Sequence, residues 1–252
     1  DVTFQDAGKG PYCPALRKND IIGGRPGLSL DTFWRIIENF KTTEPLLWAV
    51  SQAAPIRRVH ITRDLLLHDM GAQASGGHMA NCIVDGQVFF GSQQQWCSRS
   101  VTFNANQNDN AAKPHDYGAW SNVFVDCVGQ EPTQSSILDV DGRKVSVTVD
   151  NHVRVTVEKP FITLNKEGLY ALHVPQPRFR NNQHNNNTSS SLGADHSGLT
   201  DEIRDFKHVR VAVDTDTTQS INEALKQGKD VVLSPGIYNL TQSLLPTRDN
   251  QV

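Results

Sequence analysis

The sequence predicts an all-β chain of the β-solenoid class, in which successive short strands wind around one core and pair with the coil before. Helical periodicity is nearly absent, and short runs of alternating apolar residues recur instead. Their centres lie roughly 15 to 30 residues apart, which suits one coil with loops of variable length. Hairpin signals are confined to Asp85–Gln87 and Asp141–Arg143, so tight turns are not the main connection.

The strand-like runs follow one another through the first half of the chain, each bounded by Gly, Asn, Asp or Ser. They are TFWRIIENFKT (32–42), LLWAVSQAAPIRRVHIT (46–62), GGHMANCIVDGQVFFG (76–91), QQWCSRSVTFN (94–104) and WSNVFVDCVG (120–129). In such a coil side chains alternate between inside and outside, and neighbouring coils hydrogen-bond as parallel strands. The long polar stretch Asn104–Gly118 is predicted to be a loop that leaves the coil.

Beyond Pro132 the pattern changes. Residues 137–175 alternate as V-x-V-x-V, which predicts antiparallel strands or a meander. Residues 181–198 are rich in Asn and Ser and carry too little apolar surface to order themselves, so we expect a flexible linker or exposed loop.

The last part of the chain has a different pattern again. Thr218 or Ser220 is predicted to cap a helix that residues 221–227 fill and Gly228 ends. Strands are predicted at 231–240 and from 243 onward. Because the first coil of a solenoid must cover an open apolar end, a capping helix followed by strands indicates the start of a second solenoid.

Three regions are therefore expected. Residues 1–135 form a first parallel β-helix whose N-terminal coils are missing. Residues 136–198 form a β connector and a flexible Asn/Ser-rich linker. Residues 199–252 form a capping helix and the first coil of a second β-helix.

Composition excludes several classes of function. A net charge of −3 and a pI near 6.3 give no electrostatic footprint for nucleic acid or an anionic membrane. No apolar run approaches the ~20 residues of a membrane-spanning helix. The chain has no initiator Met and no signal-peptide pattern at its start, and we interpret it as a mature or truncated piece. Without H-x-H, H-E-x-x-H, G-x-S-x-G or P-loop motifs, no metal and no cofactor are predicted.

The four cysteines are too few and too scattered for a disulfide scaffold, and none lies in a C-x-x-C motif. Cys97 and Cys127 occupy similar places in neighbouring strand runs, so both a disulfide and two free thiols remain open. Three N-x-[ST] sequons, at Asn186, Asn187 and Asn239, favour a secreted glycoprotein only mildly, because such triplets often arise by chance.

Several blocks resemble successive segments of glycoside hydrolase family 55. They include LLWAVSQAAPIRRVHI, ASGGHMANCIVDG, GSQQQWCSRS, AWSNVFVDCVG, EKPFITLNKEGLYALHVPQPR and LKQGKDVVLSPGIYNLTQSLLPTRDNQV, in the family's order. The resemblance implies two right-handed parallel β-helices of the pectin lyase type with a cleft between them. It also implies exo-acting cleavage of laminarin-type β-1,3-glucan with inversion, and a general-acid glutamate outside these 252 residues.

One block departs from the family pattern. Where the family usually has an aromatic residue and then an Asp after S-G-G, this chain has His78 and Asn81. This change puts the fit of the family's substrate in question.

The resemblance assigns the catalytic water to Gln52 and Ser75. Inverting hydrolysis needs a group that holds and deprotonates a water opposite the general acid. An amide and a hydroxyl in series can orient a water and pass its proton on, but neither is a base alone, so the relay must end at a carboxylate. The alternative is that both side chains only satisfy backbone groups at coil corners.

Substrate-binding candidates lie in the same blocks. Of the three consecutive glutamines, one or two are predicted to face the cleft, with Gln94 favoured, while the remainder join an internal amide ladder. Trp96 could stack on a glucose ring or belong to the core. His78 and Asp69 could line the rim near the A-S-G-G turn, although lone histidines are more often structural.

Two other classes of function stay open. The chain could be a non-catalytic carbohydrate-binding or cell-wall structural β-helix, which the altered S-G-G block favours slightly. It could also be a polysaccharide lyase or adhesin that shares only the fold. The expected partners are a β-1,3-glucan poly- or oligosaccharide and the rest of a twin β-helix chain, with no nucleic acid and no membrane.

Overall fold

The structure, a computed structural model, describes residues 2–4, 12–13, 33, 36–52, 54–69, 74–104, 114–116, 118, 120–130, 132–140, 142–152, 155–179, 194 and 201–252. The chain divides into two compact units. Unit 1 comprises residues 1–154 and 180–197, and unit 2 comprises residues 155–179 and 198–252.

Unit 1 is built from short strands. They are β1 (Val2–Phe4), β2 (Tyr12–Cys13), β3 (Ile37–Thr42), β4 (Leu46–Trp48), β5 (Pro55–Ile61), β6 (Leu65–Leu66), β7 (His78–Ala80), β8 (Ile83–Val84), β9 (Val88–Phe89), β10 (Gln95–Arg99), β11 (Thr102–Phe103), β12 (Pro114–Asp116), β13 (Ser121–Val125), β14 (Ser136–Val140) and β15 (Arg143–Asp150).

These strands form two sheets with parallel pairing between successive coils. The first sheet has the order β1-β3-β5-β7-β10-β13-β15-β14, with β8 paired to β5 and β11. The second has the order β12-β9-β6-β4-β2. Every described pair in both sheets is parallel except β14–β15. The predicted parallel β-solenoid is confirmed.

One corner of the coil is made by a single left-handed residue that recurs from coil to coil. Arg58, Asn81, Ser100 and Asp126 have φ between 50° and 53°. Each follows a strand residue that is in register with its counterpart in the next coil. Left-handed backbone is costly for most residues but is tolerated by Asn and Asp, whose short polar side chains bond locally. Asn81 is therefore a buried corner residue, 5% exposed. The change from the Asp that the family usually has here affects a structural position of the coil.

The core of unit 1 is a continuous apolar stack between the two sheets. Phe124 lies at its centre, with its ring edge-to-face against Phe90 at 6.4 Å and against Phe103 at 5.9 Å between centroids. All three rings are buried, as are Ile56 and Met79 on neighbouring coils. Alternation along each strand places these side chains inside and leaves their neighbours outside.

The predicted boundary at residue 135 lies inside unit 1. Strands β14 and β15 form an antiparallel hairpin around Gly142, whose φ is 76°, as the Asp141–Arg143 signal predicted. However, β15 also pairs in parallel with β13, so it extends the solenoid sheet to Asp150. Sequence alternation showed the hairpin but not the second partner of β15.

Parts of the predicted loops lie outside the described residues, including Asn186, Asn187 and most of 181–198. Within the predicted loop Asn104–Gly118, β12 pairs with β9, so this segment rejoins the second sheet. Cys97 and Cys127 are free thiols, as is Cys82. In the register of the sheet Cys97 lies opposite Val123, not opposite Cys127.

Unit 2 combines antiparallel strands with one parallel pair and one helix. Its elements are β16 (Val155–Thr156), β17 (Phe161–Leu164), β18 (Tyr170–Pro175), β19 (Arg178–Phe179), β20 (Asp201–Asp205), a 3₁₀ helix (Phe206–His208), β21 (Val209–Ala212), α1 (Thr218–Lys226) and β22 (Asp230–Leu233). Strands β17 and β18, which lie within the stretch predicted to be antiparallel, pair antiparallel, and β20 adds a third antiparallel strand from outside that stretch. Strand β21 pairs in parallel with β22, and α1 connects the two.

The caps of α1 differ slightly from expectation. The N-cap is Thr217, one residue before the predicted Thr218, and its hydroxyl accepts a hydrogen bond from Ser220 N. The helix ends as predicted before Gly228, whose φ is 78°. The predicted strand at 231–240 stops at Leu233, and no strand forms from residue 243 onward within the described chain, where Leu245 N instead bonds the Asn222 side chain.

The centre of unit 2 holds a buried ion cluster. Asp230 is fully buried, and its Oδ1 accepts hydrogen bonds from Arg204 Nη1 at 2.6 Å, Arg248 Nη2 at 3.0 Å and Val252 N at 3.0 Å. Glu202 forms a two-pronged pair with the same Arg204 guanidinium at 3.0 and 2.8 Å. These contacts raise the pKa of Arg204 above its ordinary value, the Glu202 hydrogen bonds first, and lower the pKa of Glu202.

Candidate active site

An open cleft of about 480 Å³ lies on the outward face of the first sheet, over strands β5, β7, β10 and β13. Register places Pro55, His78, Cys97 and Val123 side by side across these four strands. The other lining residues are Gln52, Ala54, Arg57, Gly76, Gly77, Gln95, Trp96 and Ser121. The cleft is thus a continuous wall of side chains from successive coils.

The two predicted catalytic side chains meet beside this cleft, which Gln52 lines and Ser75 does not. Gln52 is exposed and lines it, and its Nε2 donates a hydrogen bond to Ser75 Oγ at 2.9 Å although the residues are 23 positions apart. The backbone nearby is also tied between coils, since Ser75 N donates to the buried Ser51 Oγ at 3.3 Å. Because Ser75 Oγ is the acceptor of this bond, its own proton can be donated elsewhere.

The two glycines that follow Ser75 form part of the floor of the cleft. Gly76 has a φ of 86°, in the left-handed region that favours glycine, and its N–H donates to Gln93 Oε1 at 2.9 Å. A Cβ on Gly77 would lie 2.1 Å from Trp96 Cζ3, so only glycine allows the indole to lie there. Both positions of the S-G-G sequence therefore require glycine, Gly76 for its backbone conformation and Gly77 for the space that Trp96 occupies.

The three consecutive glutamines have three different environments. Gln93 is 1% exposed and turns inward, as the predicted internal amide, and Gln95 is exposed and lines the cleft. Gln94, the predicted cleft-facing glutamine, is half-buried and does not line the cleft, whereas Gln95 does. The alternation assumed from a continuous strand is interrupted by a bend at Gln94, just before β10 begins at Gln95.

Trp96 belongs mainly to the core. Its side chain is 2% exposed and packs edge-to-face against Phe90 at 6.4 Å between centroids. Its ring reaches the cleft only as part of the floor beneath Gly77. The ring face is therefore covered, and of the two alternatives for Trp96 the structure shows the core position.

The two remaining predicted residues, His78 and Asp69, occupy different places relative to the cleft. His78 is half-buried and lines the cleft between Pro55 and Cys97. Asp69, predicted to lie at the rim, is 8% exposed and is not among the residues that line the cleft. Asp69 follows β6, which belongs to the second sheet, whereas the cleft is formed by strands of the first.

Two cleft residues were missed in the sequence, Gln95 and Arg57. Both lie at outward positions on strands. The register between strands that brings them to the cleft cannot be deduced from a single sequence. Within the described lining there is no carboxylate, so the relay from Gln52 and Ser75 has no end point among these residues.

Burial suppresses thiol chemistry in this unit. Burial raises the pKa of Cys82 to about 12 and the pKa of Cys127 to about 12. Burial also raises the pKa of Cys97, the cysteine that lines the cleft, although Arg99 opposes this. Since the thiolate is the nucleophile, none of the three is activated.

The described residues contain no group of three or more His, Cys, Asp or Glu side chains that could hold a metal ion. Among the described helices, none has the length and apolar character needed to cross a membrane.

Fold and cleft together define a parallel β-solenoid with an open cleft on one of its sheets, and comparison with known proteins narrows the class of protein. Residues 209–252 match the family model described as the LAM55 pectate lyase-like domain. Over 232 residues, 90% of this chain, it is 32% identical to an exo-beta-1,3-glucanase of Streptomyces sp. (strain SirexAA-E / ActE). These matches confirm the resemblance to glycoside hydrolase family 55 that the sequence blocks indicated.

Solved structures agree with this result. The structure of sacteLam55A from Streptomyces sp. SirexAA-E matches with a TM-score of 0.66 and 28% identity, covering 85% of this chain and 35% of that chain. A variant of sacteLam55A in complex with glucose matches with a TM-score of 0.66 and 26% identity, covering 95% of this chain and 38% of that chain. The chain spans about one third of the length of these relatives.

Proposed function

We propose that the protein hydrolyses β-1,3-glucan of the laminarin type, acting from the chain end with inversion and releasing glucose. The observation that carries this proposal is the 2.9 Å hydrogen bond from Gln52 Nε2 to Ser75 Oγ at the edge of an open cleft. The similarity to an exo-beta-1,3-glucanase, and to a relative determined with glucose, supports the same substrate class.

In the proposed reaction Gln52 and Ser75 hold the nucleophilic water. The water attacks the anomeric carbon from the face opposite the leaving group, and the bond between that carbon and the glycosidic oxygen breaks. A general acid, proposed to be a glutamate outside these 252 residues, protonates the leaving oxygen. The water gives its proton to Gln52 Oε1, a proton on Gln52 Nε2 moves to Ser75 Oγ, and the Ser75 hydroxyl proton passes to a carboxylate, which the described lining does not contain.

The wall of the cleft would bind the sugar. Gln95 offers an amide to paired hydroxyls, and His78 offers an imidazole beside it. Arg57 adds a guanidinium that can donate to sugar oxygens. We also propose that the protein is secreted, because its substrate class is an extracellular polysaccharide and Asn239 in the third sequon is exposed.

The decisive assay incubates the longest polypeptide that contains these 252 residues with laminarin. We expect glucose as the first product, and ¹H NMR taken immediately after mixing should show the α-anomer, since inversion of a β-linkage gives α-glucose. β-Glucose as the first product would overturn the inverting mechanism.

Variants of the water-holding pair test the roles of the residues. Gln52→Ala and Ser75→Ala should each lower kcat by ~10²-fold, the scale of acid–base assistance. Gln134→Ala, the same change at an exposed glutamine outside the cleft, should leave kcat unchanged. Full turnover in both cleft variants would remove the assignment.

The second candidate is a carbohydrate-binding protein without catalysis. Asn81 is a buried structural residue, so its difference from the family pattern does not favour a binding protein. The absence of a carboxylate from the described cleft lining does favour one. Isothermal titration with laminaritriose separates the two. Saturable binding without any glucose release, in the longest polypeptide, would support the binding protein.

A further inference from the structure

We infer that Gln93 is a positioning residue, which sets the separation and orientation of Gln52 and Ser75 through one buried amide. This inference rests on the proposed function for its consequence in turnover. Its structural part concerns the geometry of the pair alone and can be tested without any substrate.

The amide of Gln93 links three coils. Its Oε1 accepts a hydrogen bond from Gly76 N at 2.9 Å. Its Nε2 donates to Val50 O at 2.9 Å and to Leu67 O at 2.9 Å. One primary amide carries two N–H donors, so both protons of Nε2 are used.

These contacts lie next to both members of the catalytic pair. Val50 precedes Gln52 by two residues, and Gly76 directly follows Ser75. The segment that carries Gln52 is therefore held by the donor end of the amide, and the segment that carries Ser75 by the acceptor end. The distance between the two segments is fixed by the length of one carboxamide group.

Gln93 itself has little freedom to move. It is 1% exposed, its N–H donates to Phe90 O at 3.0 Å, and its backbone forms a parallel bridge with Ala74. On its carbonyl side Gly118 approaches so closely that a Cβ there would lie 2.4 Å from Gln93 O. Because the backbone is held on both sides, the amide is a rigid spacer.

No other side chain supplies the same three hydrogen bonds. Glutamate keeps an acceptor but loses both donors, and methionine fills the space with neither. Asparagine retains the amide but is one methylene shorter, so it cannot reach all three backbone partners. A purely structural glutamine would stabilise the coil, whereas a positioning glutamine must also change turnover when it is replaced.

The first test is Gln93→Met, measured at a temperature at which circular dichroism shows the variant folded. We expect kcat to fall by ~10–100-fold with KM unchanged within about twofold, because a displacement of the reacting groups by about 1 Å costs turnover on that scale. Gln130→Met makes the same change at another buried glutamine, 4% exposed and outside the cleft, and should leave kcat unchanged. If Gln93→Met does not fold, Gln93→Asn provides the same readout.

A multiple-variant comparison shows whether Gln93 acts through the pair. In a background that carries both Gln52→Ala and Ser75→Ala, Gln93→Met should lower kcat by no more than about a further twofold, because both groups that it positions are already gone. A full multiplicative loss would show that Gln93 acts elsewhere and would overturn the inference. If Gln52→Ala alone has no effect, the proposed function fails and not the positioning role.

The geometry can be followed without catalysis in the 252-residue chain. The side-chain NH₂ resonances of Gln52, assigned by two-dimensional ¹H–¹⁵N NMR, should shift in Gln93→Met and stay in place in Gln130→Met. Unshifted Gln52 resonances in a folded Gln93→Met variant would overturn the inference, whatever the outcome with laminarin.

Discussion

The two units of this chain are stabilised in different ways. Apolar side chains from successive coils of unit 1 form one continuous core, within which Phe90, Phe103 and Phe124 form an aromatic column. Unit 2 has two small apolar clusters instead, one around Leu172 and one around Ile221, and places a charged cluster at its centre. Repetition lets a solenoid build a core from nearest-neighbour contacts, whereas a small mixed fold must use polar contacts as well.

The difference also explains where the candidate site lies. In unit 1 the stacked coils leave an ordered outer wall, on which residues far apart in sequence become neighbours, as Gln52 and Ser75 do. In unit 2 the buried Asp230 carboxylate and the buried Arg204 guanidinium bond each other. The first arrangement can present groups to a ligand, and the second uses them for stability.

The largest expected effect is loss of the aromatic column in unit 1. Phe124→Ala removes a fully buried ring between two others and should lower the free energy of unfolding of unit 1 by about 4 kcal/mol. The tryptophans at 34, 48, 96 and 120 all lie in unit 1, so tryptophan fluorescence in urea reports this unit alone. An unchanged midpoint would contradict the view that this column holds the solenoid together.

The second-largest effect is expected for the ion cluster around Asp230 in unit 2. Asp230→Ala leaves Arg204 with Glu202 as its remaining carboxylate and should lower the free energy of unfolding of unit 2 by about 3 kcal/mol. Amide hydrogen exchange of α1 measures this loss. Glu167→Ala, at an exposed carboxylate of the same unit, should change it by less than about 0.5 kcal/mol. A matching shift in tryptophan fluorescence with Asp230→Ala would show that the two units do not unfold separately.

Alkaline pH should separate the units further, because all four cysteines lie in unit 1. Burial raises the pKa of Cys82 and of Cys127 from 9.0 to about 12 in the folded protein. Above pH 9 the unfolded chain loses these protons while the folded chain retains them. The stabilisation is therefore complete below about pH 9 and is lost as the pH rises toward 12, at about 1.4 kcal/mol per pH unit and thiol.

The matching measurement follows urea unfolding of unit 1 by tryptophan fluorescence between pH 8 and 10.5. The double variant Cys82→Ala, Cys127→Ala should be less stable at pH 8 but should lose stability more slowly as the pH rises. Parallel slopes for the two proteins would show that the buried thiols do not govern the alkaline limit.

The smallest expected effect is at the left-handed corner of the coil. Asn81→Ala should cost about 1 kcal/mol, because alanine pays the full penalty for a φ of 53°. Asn81→Gly should cost less, since glycine adopts this backbone freely. Equal losses in the two variants, measured by urea unfolding, would place the role of Asn81 in its side-chain contacts and not in its backbone.

Much of the fold could be read from the sequence. The alternating runs predicted parallel coils, the Asp141–Arg143 signal predicted the hairpin, and Gly228 predicted the end of α1. Each of these features depends on a few neighbouring residues. The second partner of β15 and the end of β22 at Leu233 were not predicted, because they depend on which segment lies alongside.

The same limit applies to the candidate site. The family resemblance pointed to Gln52 and Ser75, and the structure brings them together. It places Gln95 and not Gln94 in the cleft, because one bend resets the alternation, and Asp69 is not among the lining residues. Which face a residue presents after a corner depends on backbone torsions that the residue types there did not reveal.

By itself, the sequence determined that this chain winds into coils around an apolar interior, a property that follows from local patterns of side-chain size and polarity. The glycoside hydrolase expectation came instead from the resemblance of its sequence blocks to a known family. Only the tertiary structure decided which amides lie inside and which outside, and that Gln93 bonds the segments on either side of the Gln52–Ser75 pair. Contacts between coils arise from register, and register is set by the packing of the whole stack.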